Sequence, residues 1–123
     1  MSARARILLV DDHPDGLEPL VVRLRAAGYD PVIAPDSLGA MDLIRAAPPA
    51  LVVLDVVMPE LNGYQLCRLI KKHDQDIVVV MLTSRSESAD RFWAQQCGAN
   101  LFLSRPVDPA TVLLRIAALL GES

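Results

Sequence analysis

Five short apolar runs, at residues 7–10, 32–34, 51–54, 77–82 and 101–103, alternate with segments whose apolar residues recur at helical spacing. No other feature of the chain constrains its fold as strongly. Continuous apolar runs suit strands buried on both faces, which is the condition of parallel sheets. Parallel strands joined through helices require right-handed crossovers. The expectation is therefore an α/β chain: a doubly wound (βα)5 sandwich whose parallel sheet is most simply ordered 2-1-3-4-5.

The helical segments carry their own signals. In the first, Leu17, Leu20, Val21 and Leu24 form one stripe and Gly28 supplies a C-terminal stop. Pro19 removes a backbone donor, so that helix should start late or bend in its first turn. The second should open with Asp36 as N-cap and run to about Ala47, before Pro48 and Pro49, with Gly39 weakening it. The third follows Asn62 and Gly63, places Leu66, Leu69 and Ile70 on one face, and ends in a solvated basic trio, Lys71, Lys72 and His73. A fourth is expected from near Ser86 to Gly98, with Ala89, Phe92, Trp93 and Cys97 on one side, one of Phe92 and Trp93 being partly exposed. A fifth is expected from Asp108 and Pro109 to just before Gly121.

With 123 residues, 52% of them hydrophobic, the expectation is one domain over residues 1–123 with a real core and no output domain. A formal charge of -3 supplies no cationic field for nucleic acid or anionic lipid, so direct nucleic-acid binding is not expected. No apolar run is long enough for membrane insertion, and the N-terminal run is too short for a signal peptide, which makes the cytoplasm the expected compartment. Cys67 and Cys97 lie in apolar-periodic segments without a C-x-x-C motif, so they are expected as buried packing thiols.

In the order 2-1-3-4-5 the first and third strands are neighbours. Their carboxyl ends carry Asp11 and Asp12 on one side and Asp55 on the other, at the point where the strand order reverses. Each acid alone could cap a helix or begin a turn. Three converging on one rim repel one another unless a cation binds, and hard oxygen donors with room for water suit Mg²⁺. The fourth and fifth strands bring Thr83, Ser84, Ser104 and Arg105 to the same rim. A hydroxyl and a cation beside a metal-bound carboxylate make a phosphate site.

These residues resemble, end to end, a response-regulator receiver domain of two-component signalling, which has a flavodoxin-like fold. The matching features are Asp11 and Asp12, then Asp55 followed by Met58-Pro59 and Asn62-Gly63, then Thr83, Gly98-Ala99 and the x-Pro at 105–106. More loosely, residues 62–72 and 90–108 are similar to single-domain chemotaxis-like regulators of pilus-associated chemosensory systems. The resemblance implies that Asp55 accepts a phosphoryl group from a histidine kinase, a phosphotransfer protein or a small phosphodonor, as an acyl phosphate. It implies Mg²⁺ held by Asp12, Asp55 and the Val57 carbonyl, with Asp11 acting through a water. It also implies Thr83 and Arg105 on the phosphoryl group and Phe102 as the switching aromatic. The surface read by a downstream target would be the fourth helix, fifth strand and fifth helix, a face that also allows a weak homodimer. Such a chain catalyses only its own phosphoryl transfer and dephosphorylation.

Arg105 stands where the family has Lys. The guanidinium is larger, planar and always charged, so phosphorylation with weakened switching is the expectation. The alternative is a phosphorylation-independent interaction module on the same scaffold. Val57 and Arg85 occupy positions that tune acyl phosphate lifetime, and neither activates water, which implies slow self-dephosphorylation. Ser84 is expected to cap the next helix or face solvent, and His13 to line the rim above the metal. Rivals from other classes fit less well. A haloacid-dehalogenase-type phosphatase wants an acid at Val57, the phosphate-binding loop G-x-x-x-x-G-K-[ST] is absent, and the rim acids would repel a flavin phosphate.

Overall fold

The computed structural model describes residues 5–56, 62–83, 96–104 and 107–121, without the side chains of Pro14 and Thr83. The strands are β1 (Arg6–Val10), β2 (Asp30–Ala34), β3 (Leu51–Asp55), β4 (Val78–Thr83) and β5 (Leu101–Ser104). All pairings are parallel and the order is β2-β1-β3-β4-β5, as the alternation of apolar runs required. The helices are α1 (Glu18–Ala26), α2 (Ser37–Ala46), α3 (Gly63–His73) and α4 (Pro109–Leu119), the last being the fifth expected from the sequence. The expected helix from Ser86 to Gly98, with Phe92 and Trp93, lies outside the described residues up to 95.

Apart from Arg6, Asp55 and Thr83 at their ends, the central strands are apolar throughout because each face of the sheet meets its own core. Leu8, Val10, Val52, Leu54, Val79 and Met81 pack toward one cluster with Ala40, Met41 and Ile44 of α2 and Leu66, Cys67 and Ile70 of α3. Ile7, Leu9, Leu51, Val53, Val80 and Leu82 alternate to the other side. There they meet Leu20, Val21 and Leu24 of α1 and Val112 and Ile116 of α4. Burying each such side chain contributes about 1.5–3 kcal/mol, offset by chain entropy, so the two layers jointly hold the rim in place.

Local signals set the helix ends. Pro14–Leu17 forms a 3-10 turn and the α-helix begins only at Glu18, with Pro19 in its first turn where no backbone donor is needed. Gly28 follows α1 at φ 92°, a backbone conformation that favours glycine. Asp36 caps α2 by accepting from the Gly39 N–H at 2.6 Å. Asn62 and Gln65 form a reciprocal capping box on α3, with N–H to side-chain oxygen distances of 2.9 and 3.0 Å.

Two expectations need correction. Leu69 is 39% exposed, because Gly63, Leu66, Cys67 and Ile70 already fill the i, i+3, i+4, i+7 stripe of α3. Lys71 is not a solvated end of α3: its Nζ donates to the carbonyls of Ile77 (2.6 Å) and Gln75 (3.3 Å) and to Asn100 Oδ1 (2.7 Å). The Asn100 amide oxygen also accepts from Val79 N–H at 2.9 Å, so the lysine ties α3 to the starts of β4 and β5. Cys67 and Cys97 are free and buried, as expected.

Candidate functional site

The acid pair sits where β1 stops. Val10 pairs with Ala34 on one side and with Leu54 on the other, so Asp11 follows directly at the boundary between the two halves of the sheet. Its N–H donates to the Ala34 carbonyl at 3.3 Å, which extends the β1–β2 ladder by one step. The Asp11 side chain is buried at 3% exposure, and its Oδ1 accepts from the His13 N–H at 2.8 Å. That bond closes a tight turn just after β1.

Asp12 is partly exposed, yet its Oδ1 is buried and accepts no hydrogen bond. His13 Nδ1 stands 3.1 Å from that oxygen, on a ring that is 88% exposed. A buried carboxylate oxygen without a donor is costly unless a cation compensates it. The ligand atoms of Asp11, Asp12 and His13 all lie within 4.8 Å of one another. This hard-oxygen pair with an orphaned oxygen fits Mg²⁺.

Asp55 closes β3 and pairs with Leu82 of β4, while its predecessor Leu54 pairs with Val10, the residue before the acid pair. Asp55 is half-buried and is not a member of the tight Asp11–Asp12–His13 group. The N-terminus of α3 rests on it: Gly63 N–H donates to the Val56 carbonyl at 2.9 Å. Val56 N–H in turn donates to the Leu82 carbonyl at 3.3 Å, joining the ends of β3 and β4.

Of the remaining expected site residues, Thr83 ends β4 opposite Ser104 of β5. Phe102 lies in β5 beside Met81, half-buried and packed against the α2–α3 core. Val57, Met58, Pro59, Ser84, Arg85, Arg105 and Pro106 lie outside the described residues. Sequence reasoning placed His13 above the metal without assigning it a contact, and the structure brings its imidazole into the acid group. It also missed Gly63 as the seat of α3 on Asp55, although the pair Asn62-Gly63 was visible.

An open parallel sheet with acids at the point where strand order reverses defines a doubly wound α/β protein whose chemistry lies at the carboxyl rim. Residues 7–117 match the family Response regulator receiver domain, and the chain belongs to that family. It is 34% identical over 122 residues to the DNA-binding response regulator MtrA of Mycolicibacterium smegmatis, covering 99% of this chain and 53% of that protein. The chain thus spans about half the length of such curated relatives.

Among solved structures, a two-component response regulator of the LuxR family from Aurantimonas superposes with a TM-score of 0.84 at 34% identity, covering 96% of this chain and 86% of that one. A CheY-like response regulator receiver domain protein from Methanospirillum hungatei superposes at 0.90 and 24% identity, covering 98% and 95%, which shows the shared fold. Receiver domains use Mg²⁺ at an acidic pocket, and an acidic cluster is present here. Response regulators work with histidine kinases and downstream effectors. No described helix is long and apolar enough to cross a membrane.

Proposed function

We infer that this chain takes a phosphoryl group onto Asp55 from a phosphohistidine of a histidine kinase or phosphotransfer protein. An Asp55 carboxylate oxygen attacks phosphorus, the P–N bond breaks, and its electron pair returns to the imidazole of the donor, leaving an acyl phosphate. The observation that carries this reading is the acid pair at the end of β1, with Asp11 buried and Asp12 partly exposed, on the strand that neighbours β3 and its terminal Asp55. Asp12, Asp55 and the Val57 carbonyl are the direct ligands in this reading, and Asp11 acts through a water. Bound Mg²⁺ supplies charge neutralisation on the transferring group.

Thr83 and Arg105 bind the phosphoryl oxygens, and inward rotation of Phe102 remodels the surface around β5 and α4 for a downstream target. A weak homodimer through that surface belongs to the same reading, as do a cytoplasmic setting and slow self-dephosphorylation. A net charge of -3 argues against nucleic acid as the direct partner of this chain. The test is intact-mass analysis after incubation with a small phosphodonor and Mg²⁺, with Asp55→Asn as control. One phosphoryl group on the wild type and none on the variant is the expected result. No incorporation into the wild type would leave the phosphorylation-independent module in its place.

A further inference from the structure

We propose that Cys67 and Cys97 are a modification site, a dithiol that a hydroperoxide oxidises to an intrachain disulfide fastening α3 to the start of β5. The inference is independent of the phosphoryl acceptor, and its test uses no phosphodonor. Cys67 lies on the buried face of α3, and its Sγ donates to the Cys97 carbonyl at 3.4 Å across 30 residues of chain. Cys97 Sγ in turn lies 3.8 Å from Met81 Sδ of β4. Cys67, Cys97 and Met81 thus meet in the core between α3 and the sheet.

The backbone holds the two thiols at this range. Gly98 follows Cys97 at φ 90° and lies so near α3 that a Cβ there would stand 3.3 Å from Lys71 Cγ. Asn100 Oδ1 then accepts from Lys71 Nζ at 2.7 Å. Lys71 is one turn beyond Cys67 on the helix, so residues 97–100 run along one side of α3 and cannot leave Cys67 without giving up these contacts. The thiols also act on each other: the hydrogen bond between their side chains is the largest influence on both, raising Cys67 and lowering Cys97. The Ala99 N–H and the Arg68 charge lower Cys97 further, so it ionises below the ordinary thiol value of 9.0 although burial opposes this.

This asymmetry assigns the roles. Cys67 is fully buried, whereas Cys97 retains 4% exposure and lies between exposed Gln96 and exposed Gly98. A small neutral peroxide therefore meets Cys97 first. The Cys97 thiolate attacks one peroxide oxygen, the O–O bond breaks and hydroxide leaves with the electron pair, giving a sulfenic acid. The Cys67 sulfur then attacks the sulfenic sulfur, the S–O bond breaks, and the Cys67 proton departs with the hydroxide as water. In sum the thiols give up two electrons and two protons, and one peroxide becomes two waters.

The experiment exposes the folded full chain to hydrogen peroxide at neutral pH and follows it by intact mass and by peptide mapping without reductant. A loss of about 2 Da, restored by dithiothreitol, with the Cys67 peptide joined to the Cys97 peptide, is the expected result. Cys67→Ser should stop at a sulfenic acid on Cys97 that dimedone traps, and Cys97→Ser should leave Cys67 a thiol. The wild-type map carries the test by itself where a serine in the core unfolds the chain. A disulfide only between two copies, over-oxidation of Cys97 with Cys67 still a thiol, or two intact thiols at peroxide levels that already convert methionine to sulfoxide overturns the proposal. Oxidation of Cys67 at the wild-type rate in Cys97→Ser overturns it as well.

Discussion

Gly63 lies against the backbone of Asp55 so closely that a Cβ on Gly63 would overlap the Asp55 carbonyl oxygen and stand 2.8 Å from Val56 Cα. The first turn of α3 is therefore seated directly on the end of β3. Neither partner can yield easily, because both are backbone. Replacing glycine by alanine in a helix ordinarily stabilises it by about 1 kcal/mol. Here Gly63→Ala should instead destabilise the fold by about 1–3 kcal/mol, as overpacking does. Urea unfolding measures this, and Asp55 phosphorylation should slow in parallel. A gain in stability would show that α3 does not bear on Asp55 in this way.

Lys71 and Lys72 adjoin in sequence and differ in setting. Lys71 holds Ile77, Gln75 and Asn100, whereas Lys72 is exposed. Charge-assisted hydrogen bonds that hold a partly buried junction contribute about 1.5–3 kcal/mol. Lys71→Met should cost about that much, and Lys72→Met should stay within about 0.5 kcal/mol of wild type. Asn100→Ala should overlap with Lys71→Met in a double-mutant cycle, since each removes the other's partner. Full additivity would separate the two residues.

The contrast between these lysines also shows how far the sequence could be followed. Strand order was legible because Leu8, Val52 and Val79 and their alternating neighbours Ile7, Leu51 and Val80 all had to be buried, which only a sheet covered on both faces permits. The same topology brought Asp11 and Asp12 beside the strand of Asp55, without any local signal linking them. Leu69 was misplaced because hydrophobicity suggested a stripe that geometry gave to Cys67, one residue pair away on the helix. Lys71 was read from its helix alone, since its decisive partner, Asn100, lies in another βα unit. His13 needed the turn set by Asp11 before its ring could be placed.

Asp36 and Gly39 are coupled at the start of α2. The Asp36 Oδ1 that caps the Gly39 N–H would stand 2.9 Å from a Cβ at position 39. Asp36→Ala should cost about 1 kcal/mol, the usual worth of an N-cap. Gly39→Ala should give little or no gain in the wild type, because the new methyl pushes on the cap. In the Asp36→Ala background the same change should stabilise by up to about 1 kcal/mol. Thermal denaturation of the four proteins tests this, and an equal effect of Gly39→Ala in both backgrounds would refute the coupling.

Cys67 predicts a response to alkaline pH. Its Sγ donates to the Cys97 carbonyl at 3.4 Å, and it is fully buried in the α2–α3 core. Hydrogen bonding with Cys97 and burial together push the Cys67 thiol far above the ordinary thiol value of 9.0. A group whose pKa is raised in the folded state binds its proton more tightly there than in the unfolded chain. Its stabilising contribution is whole below the unfolded pKa and declines as pH rises through and beyond it. Above pH 9, unfolding free energy should fall by up to about 1.4 kcal/mol per pH unit on account of this thiol. Cys67→Ala leaves a small cavity and lowers stability at neutral pH, but its alkaline slope should be shallower by that amount. Guanidinium unfolding at pH 8 to 10.5 compares the slopes, and identical slopes would show that Cys67 ionises as readily in the folded protein as in the unfolded chain.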